Sequence, residues 1–145
     1  KGNIPYTVDF WKEQWKIAID AANAHPITGV GADCLATYYG MQANCNDKCY
    51  NEFLYIAATR GYISMVLYAA LIVMTAVHLC RGMKEFFADR SKWYIPCLLA
   101  VVTAYTVQSF FNASAITTAP FFWLTLGISW SAVGTPPRVF RDTAR

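Results

Sequence analysis

Charge is what this sequence of 145 residues has least of. Asp, Glu, Lys and Arg make up only 14% of it, against about a quarter in ordinary soluble domains. From Gly61 to Cys80, and again from Trp93 to Pro137, there is no charged residue at all. Helices exposed to water are not written in that alphabet, so both stretches are excluded as ordinary soluble surface. No arginine precedes Arg60, which leaves residues 1–59 without a guanidinium fork for phosphate. Histidine occurs twice, as His25 and His78. Cys34, Cys45 and Cys49 therefore have one neighbouring imidazole, too few ligands for a structural zinc site. A disulfide among the three fits an oxidising side better. Lys1–Phe10 has no apolar core of a signal peptide, and Lys1 stands where a Met would start a chain. The sequence reads as the C-terminal piece of something longer. No metal, cofactor or nucleic-acid partner is expected.

What is present is segregation. Most of the acids lie in residues 1–60, while later charge gathers at 81–92 and after Pro137. Aromatics reach 16% and the formal net charge is +3. The pattern predicts an all-α polytopic membrane fragment in three parts. Residues 1–60 form an external segment, residues 61–137 carry three transmembrane helices (about 61–80, 94–112 and 119–134), and residues 138–145 form a cytoplasmic tail. Each of the first two runs has the roughly 20 residues needed for a hydrocarbon core of about 30 Å. The third is short and would need local thinning of the bilayer. Arg81, Lys84, Arg90, Lys92 and the arginines of the tail set the orientation: basic segments inside, residues 1–60 and a turn at Asn112-Ala113-Ser114 outside.

Within the external segment, residues 9–23 predict an amphipathic helix. Lys12, Lys16, Asp20 and Asn23 fall on one stripe, with Trp11, Trp15, Ala18 and Ala22 on another. The tryptophans suit either a membrane interface or the protein's own core. Pro26 ends this helix, Gly29-Val30-Gly31 makes a turn, and 32–40 predicts a short helix. After a polar loop at 41–48, residues 50–59 predict a helix running towards the bilayer.

With these pieces in place, three stretches resemble the O-antigen ligase and polymerase superfamily. They are Trp15 followed by Pro26 and Gly29-Val30-Gly31; Tyr50-Asn51-Glu52-Phe53-Leu54 followed by Thr59-Arg60-Gly61; and Phe110-Phe111-Asn112 leading to Pro120, Trp123 and Gly127. Members are bacterial membrane glycosyltransferases that use polyprenyl-diphosphate-linked glycans. The resemblance implies a glycan or lipid acceptor, an external loop forming the catalytic face, and location in the cytoplasmic membrane. It implies a site at Tyr50, Asn51 and Glu52, with Arg60, Lys48, Gly29 and Gly31 near the diphosphate. In that family a histidine activates the acceptor hydroxyl; here its position is Tyr50, a poor base at neutral pH. An arginine expected one turn before Trp15 falls at or near Trp11. The two departures predict a catalytically impaired copy, with an inactive paralogue or remnant that binds without reacting as the alternative. A transporter is disfavoured, because the spans hold few polar groups to line a path.

Other readings accompany these. Glu52 suits a base or an ion pair with Lys48 four residues earlier. Arg60 suits a lipid diphosphate or a headgroup anchor. Gly29 and Gly31 suit a tight backbone or a phosphate cradle. His25 is a weaker candidate for a replacement base, and His78 is expected to reach the inner interface near Arg81.

Overall fold

The computed structural model describes residues 8–32, 34–38, 49–112 and 117–133, all in helices, turns and short connections, with no strand among them. Lys48, Cys45 and residues 134–145 lie outside the described residues, as does most of the Asn112-Ala113-Ser114 turn. Helix α1 spans Val8–Ala24, α2 is Leu35–Tyr38, α3 is Glu52–Ala88, α4 is Tyr94–Phe111 and α5 is Ala119–Ala132. A single 3-10 turn at Arg90–Lys92 joins α3 to α4.

α1 follows its sequence pattern. Lys12, Lys16, Asp20 and Asn23 are exposed, while Ala18, Ala21 and Ala22 are buried. The small side chains let α1 approach the start of α3, where Ala58, Cys49 and Leu35 complete a compact cluster. Gln14, polar but only 2% exposed, lies on the same side.

α3 is not one rod. Gly61 has φ 85 and ψ 165, which breaks the helix into limbs at residues 52–60 and 62–88. In a straight helix Phe53 and Tyr68, fifteen residues apart, would be separated by about 22 Å along the axis. Their rings instead lie 5.6 Å apart, so the first limb folds back along the second. The expected helix at 50–59 and span at 61–80 are thus two arms of one corner. The second arm runs on past Cys80, so Arg81 and Lys84 are helical rather than in a loop. Nothing between Arg81 and Ala88 is a proline, and Asp89 ends the helix by donating its N–H to the Glu85 carbonyl.

The corner is held by a distant loop. Helix ends leave backbone groups without intrahelical partners, and here residues 26–31 supply them. The amides of Val30 and Gly31 donate to the carbonyls of Ala58 and Thr59 at 2.9 and 3.0 Å, and the Tyr62 amide donates to the Pro26 carbonyl at 2.8 Å. One loop caps the end of the first limb and the start of the second. Both Gly29 and Gly61 have positive φ, and a Cβ on either would overlap backbone atoms of the opposite segment.

α3, α4 and α5 pack along a seam spaced like a heptad repeat. Its buried positions are Tyr68, Ile72, Thr75, Leu79 and Gly82 on α3, Ile95, Val102 and Ser109 on α4, and Phe122, Leu126 and Ser129 on α5. Alternating steps of three and four keep one stripe facing its neighbours. Hydroxyls at the seam are satisfied locally: Thr75 donates to the Leu71 carbonyl and Ser129 to that of Thr125. The Trp130 indole N–H then crosses from α5 to Thr75 Oγ1 at 3.0 Å.

The opposite faces stay apolar and open. Leu67, Val73, Val101, Val107, Phe121 and Leu124 are all exposed. α3 and the stretch Arg90–Phe111 are each long and apolar enough to cross a membrane. α5 is not: its 14 residues cover about 21 Å of a core of about 30 Å. The third expected span therefore exists as a helix in the expected place, but a short one. His78 also differs from expectation. Its ring stacks on Trp130 at 4.6 Å, and its Nε2 is buried without a partner.

Candidate functional site

The junction that carries the sequence motif is built around the start of α3. Asn51 is the residue that caps it: Oδ1 accepts from the Leu54 amide at 3.0 Å, the usual role of Asn before a helix. Its Nδ2 donates to the Phe110 carbonyl of α4 at 3.2 Å. Both ends of the side-chain amide are spent on holding the junction. Before it, Tyr50 adopts φ 52, a left-handed conformation uncommon outside glycine. Its ring lies 5.0 Å from that of Trp11. The positions at which the sequence departs from its resemblance are thus in contact with each other.

Cys49 is fully buried, and its Sγ donates to the Asn51 carbonyl at 3.3 Å. Burial pushes its thiol up to about 11, because an apolar setting disfavours the thiolate. Cys34 is exposed, and both are free thiols, so neither forms the disulfide the sequence suggested. Among the described residues no group of three His, Cys, Asp or Glu side chains is placed to hold a metal.

Glu52 is 8% exposed and accepts from the Ser109 hydroxyl of α4 at 2.8 Å. Phe53 beside it meets Phe110 at 4.8 Å. Together Asn51, Glu52 and Phe53 tie the folded-back limb to the top of α4. On the other side of that limb lies a cleft of about 530 Å³, lined by Glu52, Tyr55, Ile56 and Arg60 from the first limb. Ser64, Leu67, Tyr68 and Leu71 of the second limb and Ala119 and Trp123 of α5 complete it. Glu52, Ile56 and Arg60 are successive i, i+4 positions and so share one helical face. The carboxylate and the guanidinium stand two turns apart, about 12 Å along the axis. That spacing keeps them from pairing directly and leaves room for a ligand between them.

Of the residues the sequence nominated, Glu52 and Arg60 come together in this cleft. Tyr50 and Asn51 do not line it; Tyr50 meets Trp11, and Asn51 caps the helix that carries Glu52. Gly29 and Gly31 belong to the corner. Their amides donate to the carbonyls of His25 and Thr59, so a phosphate cradle built on those N–H groups is replaced by helix capping. Lys48, and with it the proposed ion pair to Glu52, lies outside the described residues. His25 is exposed at the end of α1 and does not line the cleft.

Three polar contributors were missed: Tyr68, Ser109 and Ser64. The signal was available, since Tyr68 and Ser109 interrupt apolar runs, and polar groups in such runs are candidates by default. Their relevance depended on the reversal at Gly61, which brings residue 52 beside residue 68.

The chain matches no protein-family model, no curated protein and no solved structure.

Proposed function

We propose that this chain is part of a multi-pass membrane glycosyltransferase of the O-antigen ligase or polymerase type. Its cleft faces the outer side of a bacterial cytoplasmic membrane, and α3, α4 and α5 are embedded in lipid. The substrates are a polyprenyl-diphosphate-linked glycan as donor and a glycan or lipid hydroxyl as acceptor. One observation carries the reading: a buried carboxylate and an exposed guanidinium share one cleft. That cleft lies at the end of an apolar bundle remote from the basic residues Arg81, Lys84, Arg90 and Lys92 at the end of α3 and in the turn that follows.

The chemistry follows from those two groups. The acceptor oxygen attacks the anomeric carbon of the donor sugar while its proton passes to the Glu52 carboxylate. The bond from that carbon to the diphosphate oxygen breaks, and the leaving diphosphate keeps the electron pair. Arg60 meets the charge that develops there. Glu52 thereby takes the part that the resemblance gives to a histidine, and Tyr50 becomes a supporting residue.

The test is glycan joining by the full protein in membranes supplied with lipid-linked donor and acceptor. Glu52→Gln and Arg60→Ala are each expected to lower the rate about 100-fold or more, with the protein still inserted. Normal joining by Glu52→Gln would sink the assignment.

A second reading, a copy that binds lipid-linked glycans without reacting, is favoured by the Tyr50–Trp11 contact. It predicts retention of labelled donor without transfer, and gain of transfer when Tyr50→His and Trp11→Arg are combined.

A further inference from the structure

The far end of α3 carries cations that the glycan-joining scheme does not use. The helix runs on to Ala88, so Arg81 and Lys84 stand on a rigid support. The rest of that limb sets their depth. Residues 62–80 carry no formal charge except at His78, and at about 1.5 Å each they take up nearly the whole of a hydrocarbon core of about 30 Å. Arg81 is therefore the first cation at the level of the lipid phosphates. Lys84 follows at the i+3 spacing that makes helical neighbours. Both acids of the stretch are engaged, Glu85 with Lys92 at 2.6 Å and Asp89 with the Ser91 amide. Among the described residues no ion pair reaches Arg81, Lys84 or Arg90, and all three are exposed. The Arg90 guanidinium lies 5.7 Å from the ring of Phe87, one further i+3 step from Lys84.

Towards the bilayer the same side of α3 is apolar and open. Val77 precedes Arg81 by four residues and Val73 precedes Val77 by four, which puts them on one face. They are 42% and 60% exposed. An anion on a hydrocarbon chain matches both halves of this face, phosphate against the cations and chain against the valines. A soluble phosphate matches only the first half, and a zwitterionic lipid brings an ammonium that the cations repel. We infer that this face of α3 binds an anionic phospholipid, its phosphate between Arg81 and Lys84 with Arg90 beside them. Its chain lies along Val73 and Val77. The diphosphate of the proposed donor sits at Arg60, at the other end of the limb, so the two ligands do not compete. The inference rests on the helices lying in lipid and not on glycan transfer, so a chain that transfers no glycan still carries the site.

Native mass spectrometry of the full chain in a neutral detergent tests it. The chain is first recovered from membranes, so failure to insert and failure to bind are read separately. Lipid adducts would be counted for phosphatidylglycerol and phosphatidylcholine of matched chains, with soluble glycerol 1-phosphate as competitor. Phosphatidylglycerol is expected to bind about tenfold tighter than phosphatidylcholine. Arg81→Gln, Lys84→Gln and Arg90→Gln should each weaken phosphatidylglycerol about fivefold, the scale of one cation at a membrane surface. Adding Ser91→Arg to Arg81→Gln restores the net charge of the turn and should not restore binding. Equal binding of the two lipids by the native chain would overturn the inference. Rescue by Ser91→Arg would overturn it too, because diffuse charge would then suffice without a site. Displacement of the lipid by glycerol 1-phosphate at comparable concentration would overturn the part given to the chain.

Discussion

The chain reverses at each end of the long second limb of α3, residues 62–88, and it does so by opposite means. At Gly61 the reversal is buried and depends on a loop more than thirty residues earlier, Pro26–Gly31, whose backbone satisfies both broken helix ends. At Asp89 the reversal is exposed and local. Asp89 accepts from the Ser91 amide at 3.0 Å, Lys92 meets Glu85 at 2.6 Å, and the Arg90 guanidinium sits 4.8 Å over the Phe86 ring. The first turn is made of backbone with no room for a side chain; the second is made of charged side chains with water at hand. Precision is concentrated where the cleft is, and tolerance where the basic charge is.

The sharpest way to break that contrast is at the glycines. Gly61→Ala or Gly29→Ala forces a Cβ onto opposing backbone at a positive φ. Each should cost about 3–5 kcal/mol, strain and overpacking combined. Thermal loss of helicity in detergent would report it; a midpoint unchanged by Gly61→Ala would contradict the corner. Next in size is the tie between the first limb and α4. Asn51→Ala removes the cap and the bond to Phe110, an expected loss of about 2–4 kcal/mol. Ser109→Ala strips a donor from the buried Glu52 and should cost about 1–3 kcal/mol.

A gentler probe compares thiols. At pH 8 a maleimide should modify exposed Cys34 readily and leave Cys49 intact, because burial holds the Cys49 thiol protonated up to about 11. Peptide mapping separates the two, and equal labelling would mean that the cluster beneath α1 is open.

The smallest effect belongs to the turn at Asp89. Hydrogen bonding to Ser91 holds the Asp89 carboxyl below its ordinary value. Its contribution is therefore fully present above the unfolded value of about 3.9 and is lost as pH falls through the lowered folded one. Asp89→Asn should lower stability slightly at neutral pH and remove that acid limb, the two proteins converging in stability at the acid end of the profile.

How much of this was legible in the sequence differs by region for a physical reason. α1 announced itself because one side meets water, so Lys12, Lys16, Asp20 and Asn23 mark the outside. α3, α4 and α5 are apolar on every side, and hydrophobicity could not say which face packs. What marks their seam is small or hydroxylated residues: Thr75, Gly82, Ser109 and Ser129 are buried, while Leu67 and Phe121 are not. That is the expected grammar when lipid is as apolar as leucine and close approach decides packing.

The cleft was half legible. Glu52 and Arg60 share a helical face in any reading of the motif. Tyr68 joins them only through the reversal at Gly61, and a glycine before an apolar run reads equally well as a helix start. Gly29 and Gly31 were recognised as special, but their partners are backbone carbonyls, which carry no sequence signature.

In the proposed arrangement lipid separates the cleft from the basic turn, and side-selective thiol labelling tests that separation. In intact cells, a charged reagent that does not cross membranes would be applied to the full protein carrying Ser91→Cys, followed by peptide mapping. Modification is expected at Cys34 in intact cells and at position 91 only after the membrane is opened. Modification of both from the same side, or recovery of the protein without membranes, would contradict it.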